Sequence, residues 1–388
     1  MDYFLSEEQK MIVDLCKKIA QEKIKPVRQH YDETEEFPWP IVEEMAKTDL
    51  FRIYIPEEYG GLGGTVFNLC LAVEELSKVD GAIALCLAAT ALGTFPILLF
   101  GNEEQKKKYL PEIAAGKRLT AFALTEPQAG SDATAIKTTA VKESNTYCLN
   151  GTKCFITNAG EAEIYTVITS TSPGRGVRGL SAFIIEKGTT GFTFGKKEKK
   201  LGIRASPTRE LIFQDCRISK ENLLGKEGQG FIVALKTLYV SRPGVAAQAV
   251  GIAQGALEEA INYARQRVQF GQAIIHFQAI QHLLADLATQ IEAARALVYS
   301  TARMIDADPE KRVTKESAMS KLFASEVAMK VTTEAVQIFG GYGYMREYPV
   351  EKMMRDAKIT QIYEGTNQIQ RNEIALALIK ECSAKTAK

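Results

Sequence analysis

Three segments of this 388-residue chain carry residue types that a purely structural segment has little use for. Ala123-Leu124-Thr125-Glu126-Pro127-Gln128-Ala129-Gly130-Ser131-Asp132 is dense in hydroxyls and small side chains, which let backbone approach a planar or phosphorylated ligand closely. Composition alone favours a turn-rich connector for this run. Gln337-Ile338-Phe339-Gly340-Gly341-Tyr342-Gly343-Tyr344 closes a helical pattern with three glycines in four residues. A helix cap needs fewer, and bare backbone there would suit a ligand lying against it. Ile362-Tyr363-Glu364-Gly365-Thr366-Asn367-Gln368-Ile369-Gln370-Arg371 sets one carboxylate beside Gly-Thr, between apolar Ile359 and Ile369. Alone, Glu364 reads as an acid assisting a helix N-terminus; together the three segments tilt the balance toward a functional site.

Other chemistries find less support. The seven cysteines are scattered without a CxxC pair, which points to free thiols in a reducing cytoplasm, not to a disulfide frame or zinc site. His276 and His282 stand six apart, not a helical metal-ligand spacing, so no metal is expected. The 48 basic and 47 acidic residues nearly cancel, leaving no broad field for nucleic acid or an anionic membrane. The start, MDYFLSEEQKM, is amphipathic and of mixed charge, unlike a signal or transit segment. The apolar stretch Ala82–Phe100 contains Thr90, Gly93, Thr94 and Pro96 and reads as buried helix and turn, with no membrane insertion expected.

The elements that must position these segments change texture twice. Residues 1–118 are helical in pattern: Ser6 and Gln9 form a capping box, Ile12, Leu15, Cys16 and Ile19 recur at helical spacing, and Val66–Val79 and Glu103–Ala115 read as helices. Residues 119–228 turn to short β-branched runs. Tyr147–Leu149, Asn150-Gly151 and Cys154–Thr157 read as a hairpin on a favoured turn dipeptide, and Tyr165–Ser170, Leu180–Glu186 and Glu210–Phe213 as further strands. Residues 229–388 return to long helices, with one stripe from Ile280 to Val298 and another through Met319, Leu322, Phe323, Val327, Val331 and Ile338. The expected fold class is α+β, mainly α: an N-terminal helical domain, a β-barrel-like middle domain and a C-terminal four-helix bundle.

The run Ala123–Asp132, the stretch from Gln337 through GGYGY to Lys352 and Asp356, and YEGTNQIQ together resemble the acyl-CoA dehydrogenases, over about Phe4 to Leu378. The resemblance implies that fold, a homotetramer with one FAD per subunit, an acyl-CoA substrate and electron transfer flavoprotein as acceptor. It implies Glu364 as the base that takes the α-proton, with Arg242 close to it and to the CoA portion. Phe122, Leu124, Thr125, Phe155, Ile156 and Thr157 match positions along the flavin ring, and Ser131 one touching both flavin and CoA. Arg267, Phe270, Gln278, Gln337, Gly340 and Gly341 match residues reaching the FAD of a neighbouring subunit, while Thr366 and Gln368 match FAD contacts after the base. Tyr239, Ser241, Tyr363, Gly365, Thr90 and Leu92 fall with the substrate.

Some family members carry the base immediately before the arginine matched by Arg242; here that position is Ser241. Thr90-Ala91-Leu92-Gly93, at the far wall of the implied acyl pocket, offers neither an acid nor an arginine, so the expected acyl group is uncharged, short to medium, with branched or alicyclic groups included. Alternatives on the same fold are an acyl-CoA oxidase, a reductase running toward saturation, or a binding protein without turnover. The final Lys385-Thr386-Ala387-Lys388 is not a peroxisomal address. Gly60-Gly61-Leu62-Gly63-Gly64 follows no strand pattern and lacks GxGxxG spacing, which sets aside a nicotinamide site.

Overall fold

The computed structural model describes residues 1–309 and 311–386; Ala387 and Lys388, part of the C-terminal reading, lie outside them. The chain opens with α1 (Glu7–Ile19), where Ser6 Oγ accepts from Gln9 N at 3.2 Å and the Gln9 side chain accepts from Ser6 N at 3.0 Å. Then follow α2 (Arg28–Thr34), α3 (Trp39–Lys47), α4 (Val66–Ser77), α5 (Gly81–Phe100) and α6 (Glu103–Ala114). The expected turn within Ala82–Phe100 is absent: α5 runs unbroken through Pro96. Thr90 and Thr94 bond back to the carbonyls of Cys86 and Thr90, at 2.8 and 2.7 Å, and so satisfy their hydroxyls inside the helix. Gly93 lets this helix touch the sheet, since a Cβ there would stand 2.5 Å from Thr120 Oγ1. By length and composition α5 could cross a membrane, but most of it is buried within the fold.

The middle domain is one mixed sheet that does not close into a barrel. Its strands are β1 (Thr120–Ala123), β2 (Thr139–Glu143), β3 (Thr146–Thr157), β4 (Ile164–Ser170), β5 (Leu180–Glu186), β6 (Phe192–Phe194), β7 (Thr208–Ser219) and β8 (Leu223–Leu224). They run in the order β6-β7-β3-β2-β4-β5-β8, with β1 parallel to β4. The expected hairpin at Asn150-Gly151 is a correction: β3 continues through it, and the register against β7 shifts between Leu149 and Gly151. The hairpin turn lies earlier, at Ser144-Asn145 between β2 and β3. Gly151 serves as the bulge residue, because a Cβ there would meet Thr138 Oγ1 at 2.6 Å, and the Asn150 side chain bonds Asp215 N instead of a turn.

The C-terminal domain is built on α7 (Gly230–Gln266), which packs on α4 and α5 as well as on its own bundle partners. After the short pair β9 (Val268–Gln269) and β10 (Gln272–Ala273) come α8 (Gln278–Ala307), α9 (Thr314–Phe339), α10 (Val350–Ile359) and α11 (Asn367–Thr386). The stripe expected on α9 is partly wrong: Phe323 is exposed and Met319 and Leu322 half-buried. The buried face includes Ser317, Ala318, Ser320, Lys321, Ala324 and Ser325, small residues that let α9 approach α7 closely. A buried cluster joins the domains: Lys352 Nζ lies 2.9 Å from Asp80 Oδ2 at the start of α5 and also pairs with Asp356, whose Oδ1 accepts from Ile203 N at 2.6 Å.

Candidate active site

The third chemical segment forms the turn between α10 and α11. Tyr363 N still donates to Ile359 O at 3.0 Å, after which Glu364 (φ +52°) and Gly365 (φ +92°) reverse the chain before α11. A left-handed conformation costs an L-residue about 1–2 kcal/mol, so the surroundings must hold Glu364 in place. They do so through main-chain oxygens. Arg242 Nε donates to Glu364 O at 3.1 Å, and Gln370 Nε2 donates to Glu364 O at 3.3 Å and Gly365 O at 2.8 Å. Lys321 Nζ donates to Gly365 O at 2.8 Å and to Asn367 Oδ1 at 3.0 Å, and Asn367 N closes onto Gln361 O at 3.0 Å. Tyr363 is anchored through its hydroxyl to the Gln248 side chain on α7.

The carboxylate itself is held by one hydroxyl, Ser241 Oγ donating to Glu364 Oε2 at 2.5 Å. Burial pushes the Glu364 carboxyl up to about 7, while Ser241, Arg242 and Lys321 draw it down. A base poised near neutrality combines an ionised form with useful driving force for proton transfer. Arg242 is buried against the Tyr239 ring, 5.7 Å from its centroid; burial lowers its basicity, and its Nη1 has no partner among the described residues. The N–H of Glu364 likewise has no partner there, leaving it free to donate to a ligand oxygen.

The first segment and the β3 end form a second group. Cys154 N donates to Thr125 O at 2.9 Å, and Lys153 Nζ donates to Leu124 O at 3.0 Å and pairs with Glu126 Oε1 at 2.7 Å. Glu126 also accepts from Lys137 N at 2.7 Å and Thr138 N at 3.0 Å, and these bonds together hold its carboxyl below the ordinary range. This buried pair pins the loop, so that Phe122, Leu124 and Thr125 are half-buried and Ser131 exposed. Phe155 stands out from it, 69% exposed and at φ +57°, beside buried Ile156 and half-buried Thr157.

The glycine segment forms a third group. The end of α9 and the β9–β10 turn enclose a cleft of about 670 Å³ that includes Arg267, Phe270, Phe339, Gly340 and Gly341 in its walls. Gln278 begins α8 and Gln337 lies in the last turn of α9, both exposed beside this region. Thr366 is half-buried and Gln368 exposed at the start of α11. Among the acyl-wall residues, Leu92 is half-buried, but Thr90 is fully buried with its hydroxyl on Cys86 O.

Sequence reasoning missed Lys321, Gln370, Asn367 and Lys153. The one available signal for the first is the spacing Ser317-Lys321-Ser325, three polar residues at helical intervals on a single face of α9.

Three family models cover the chain: the acyl-CoA dehydrogenase N-terminal domain over residues 6–117, the middle domain over 121–216 and the C-terminal domain over 228–379. The chain belongs to the acyl-CoA dehydrogenase family. An acyl-CoA dehydrogenase of Bacillus subtilis is 50% identical over 376 residues, covering 97% of this chain and 99% of that protein. The solved butyryl-CoA dehydrogenase of Megasphaera elsdenii superposes with a TM-score of 0.95 at 48% identity, covering 98% of this chain and all of that one. A structure described as the electron transferring flavoprotein of Acidaminococcus fermentans gives a TM-score of 0.95 at 52% identity, covering 97% of this chain and 99% of that one. The family is FAD-dependent. The residues here fit that cofactor: a Cβ at Gly340 or Gly341 would meet nothing within 4 Å, so these glycines face open space and not protein. Phe155 and Phe270 are 69% and 94% exposed, leaving two bare aromatic rings available to a bound ligand.

Proposed function

We propose that the protein dehydrogenates a short-chain saturated acyl-CoA to its trans-2-enoyl thioester. The observation that carries this reading is Glu364, a half-buried carboxylate poised near neutrality, with its own N–H free to donate. Glu364 takes the α-proton, and its N–H and neighbouring donors stabilise the thioester oxygen as charge develops, an arrangement worth about 3–4 kcal/mol per donor. Arg242, the nearest cation of α7, supports the ionised base and lies where the CoA portion would pass. Thr125, Ser131 and Thr157 hold and orient the ring system, and Phe155 covers it. Arg267, Phe270, Gln278, Gln337, Gly340 and Gly341 hold the dinucleotide end of a neighbouring subunit, while Thr366 and Gln368 meet it after the base. Tyr239, Ser241, Tyr363, Gly365 and Leu92 border the thioester. When bound, FAD accepts the β-hydride.

The short acyl chain is supported by the butyryl-CoA dehydrogenase relative, and electron transfer flavoprotein as acceptor by the Acidaminococcus relative. A homotetramer is supported by α11, where Leu376, Leu378 and Ile379 are exposed apolar side chains. The test is anaerobic bleaching of the flavin by a panel from butyryl- to octanoyl-CoA, with branched, alicyclic and glutaryl thioesters. Rapid bleaching by butyryl-CoA, lowered about 10²–10⁴-fold in Glu364→Gln with flavin still bound, is the expected result. A Gln variant that bleaches at the wild-type rate overturns the assignment, and reoxidation by an enoyl-CoA without bleaching by any saturated thioester reverses the direction.

A further inference from the structure

Three lysines are buried among the described residues, and two of them face a carboxylate directly: Lys153 has Glu126 at 2.7 Å and Lys352 has Asp80 at 2.9 Å. Lys321 does not. Its side chain is fully buried on α9, yet its partners are neutral oxygens, Gly365 O at 2.8 Å and Asn367 Oδ1 at 3.0 Å. An ammonium without a carboxylate partner is costly to bury, and helix packing alone would be served better by an apolar side chain. What the position does supply is a positive charge beneath the turn that carries Glu364.

We propose that Lys321 is a positioning residue for the reaction: its ammonium clamps the Glu364–Gly365 turn in its left-handed conformation and supplies the charge against which Glu364 ionises. This rests on Glu364 being the base. The clamp is mechanical first. Lys321 and Gln370 together claim Gly365 O, while Asn367, held by Lys321, also exchanges hydrogen bonds with Ser325 at 3.0 and 3.1 Å. Neutral Lys321 could still donate, but weakly, since hydrogen bonds from an ionised donor are about twice as strong.

The electrostatics follow from the groups that face it. Glu364 lies on the turn and Arg242 on α7, and Glu373 of α11 acts on Arg242. Burial pulls the Lys321 ammonium down to about 7; Glu364 opposes this and Arg242 adds to it. Burial pushes Glu364 up to about 7, and the Lys321 charge draws it back down. The active pair, ionised Glu364 over protonated Lys321, exists over a limited pH window. On this proposal a bell-shaped profile is expected for the reductive half-reaction, with Glu364 on the rising limb and Lys321 on the falling one.

The test is single-turnover bleaching by butyryl-CoA across pH 5.5–9.5, on flavin-loaded enzyme, with bound flavin and thermal unfolding as controls. Lys321→Met, apolar and similar in length, is expected to move the rising limb up by about one pH unit, roughly tenfold in rate on that limb, and to abolish the falling limb. Lys321→Arg keeps the charge but does not titrate, so it should restore the rising limb and still lack the falling one. Ser325→Ala loosens Asn367 without touching the charge and should lower the rate with both limbs in place. The carboxylic-acid band that Glu364→Gln deletes, followed by infrared difference spectra against pH, should shift in Lys321→Met without any turnover. A Met variant that holds flavin and keeps both wild-type limbs overturns the proposal. If the variants lose flavin, the wild-type profile decides: a rising limb followed by a plateau refutes the pairing. Failure of wild-type bleaching by every thioester would instead refute the base assignment beneath it.

Discussion

Replacing Ser241 by alanine removes the single hydroxyl that donates to the Glu364 carboxylate, at 2.5 Å, and changes no charge. A hydrogen bond to a charged group is worth about 1.5–3 kcal/mol. Glu364 is half-buried, so solvent can partly replace the lost donor and the lower end of that range applies. About 1.4 kcal/mol corresponds to one pH unit in an ionisation constant. The Glu364 carboxyl, already raised to about 7, should then titrate roughly one unit higher. The sign is definite: an acid that loses a donor to its ionised form holds its proton to higher pH. Rapid-mixing bleaching with butyryl-CoA should show a rising limb displaced upward, with a rate loss of about tenfold below pH 7 that shrinks as pH rises. A rate loss of equal size at every pH would mean that Ser241 acts on geometry alone, and an unmoved limb with an unchanged rate would refute the hydrogen bond as a tuning contact.

Glu364→Gln should unfold at higher temperature than the wild type at pH 8. The folded wild type binds the Glu364 proton more tightly than the unfolded chain, so its stability falls as pH rises from 4.5 to about 7, by at most about 3 kcal/mol before solvent screening, and the gap to the Gln variant should close by pH 4 in calorimetry. Gly365→Ala places a Cβ 2.7 Å from Gln370 Nε2 and 3.2 Å from Arg242 Nη2 at φ +92°, and should cost about 1–3 kcal/mol in urea unfolding together with a bleaching rate at least tenfold lower; a neutral effect would mean the turn relaxes freely. Glu126→Ala strands Lys153, fully buried, and should destabilise by about 3–5 kcal/mol and weaken flavin retention, measured by denaturant midpoint and by flavin released on dilution.

The helical–β–helical order was readable because its signals are local: Ser6 and Gln9 cap α1 as their spacing requires, and Leu180–Glu186, a continuous run buried through Ile185, forms β5 at its expected bounds. Asn150-Gly151 misled because the same dipeptide serves a tight turn or a bulge, and only the approach of Thr138 from β2's leading loop decides between them. On α9 the misreading came from assuming that the largest apolar side chains face inward. The helix instead buries serine, alanine and Lys321: small residues pack against α7 and Lys321 reaches the Gly365 carbonyl, and neither contact is visible within α9 itself. Glu364 was picked out through the family resemblance of its motif, not from its neighbours alone, whereas the donors around its turn come from α7, α9 and α11 and are brought together only by the bundle.

Glu364 offers its carboxylate and its N–H, unclaimed among the described residues, from one residue, so in the proposed reaction the proton acceptor and the hydrogen-bond donor to the thioester oxygen move as one body. Any drift of this turn that suited a different acyl chain would misplace both at once. In the proposed reaction, divergence in acyl preference is thereby steered away from the turn and toward α5, where half-buried Leu92 can change size without moving the turn.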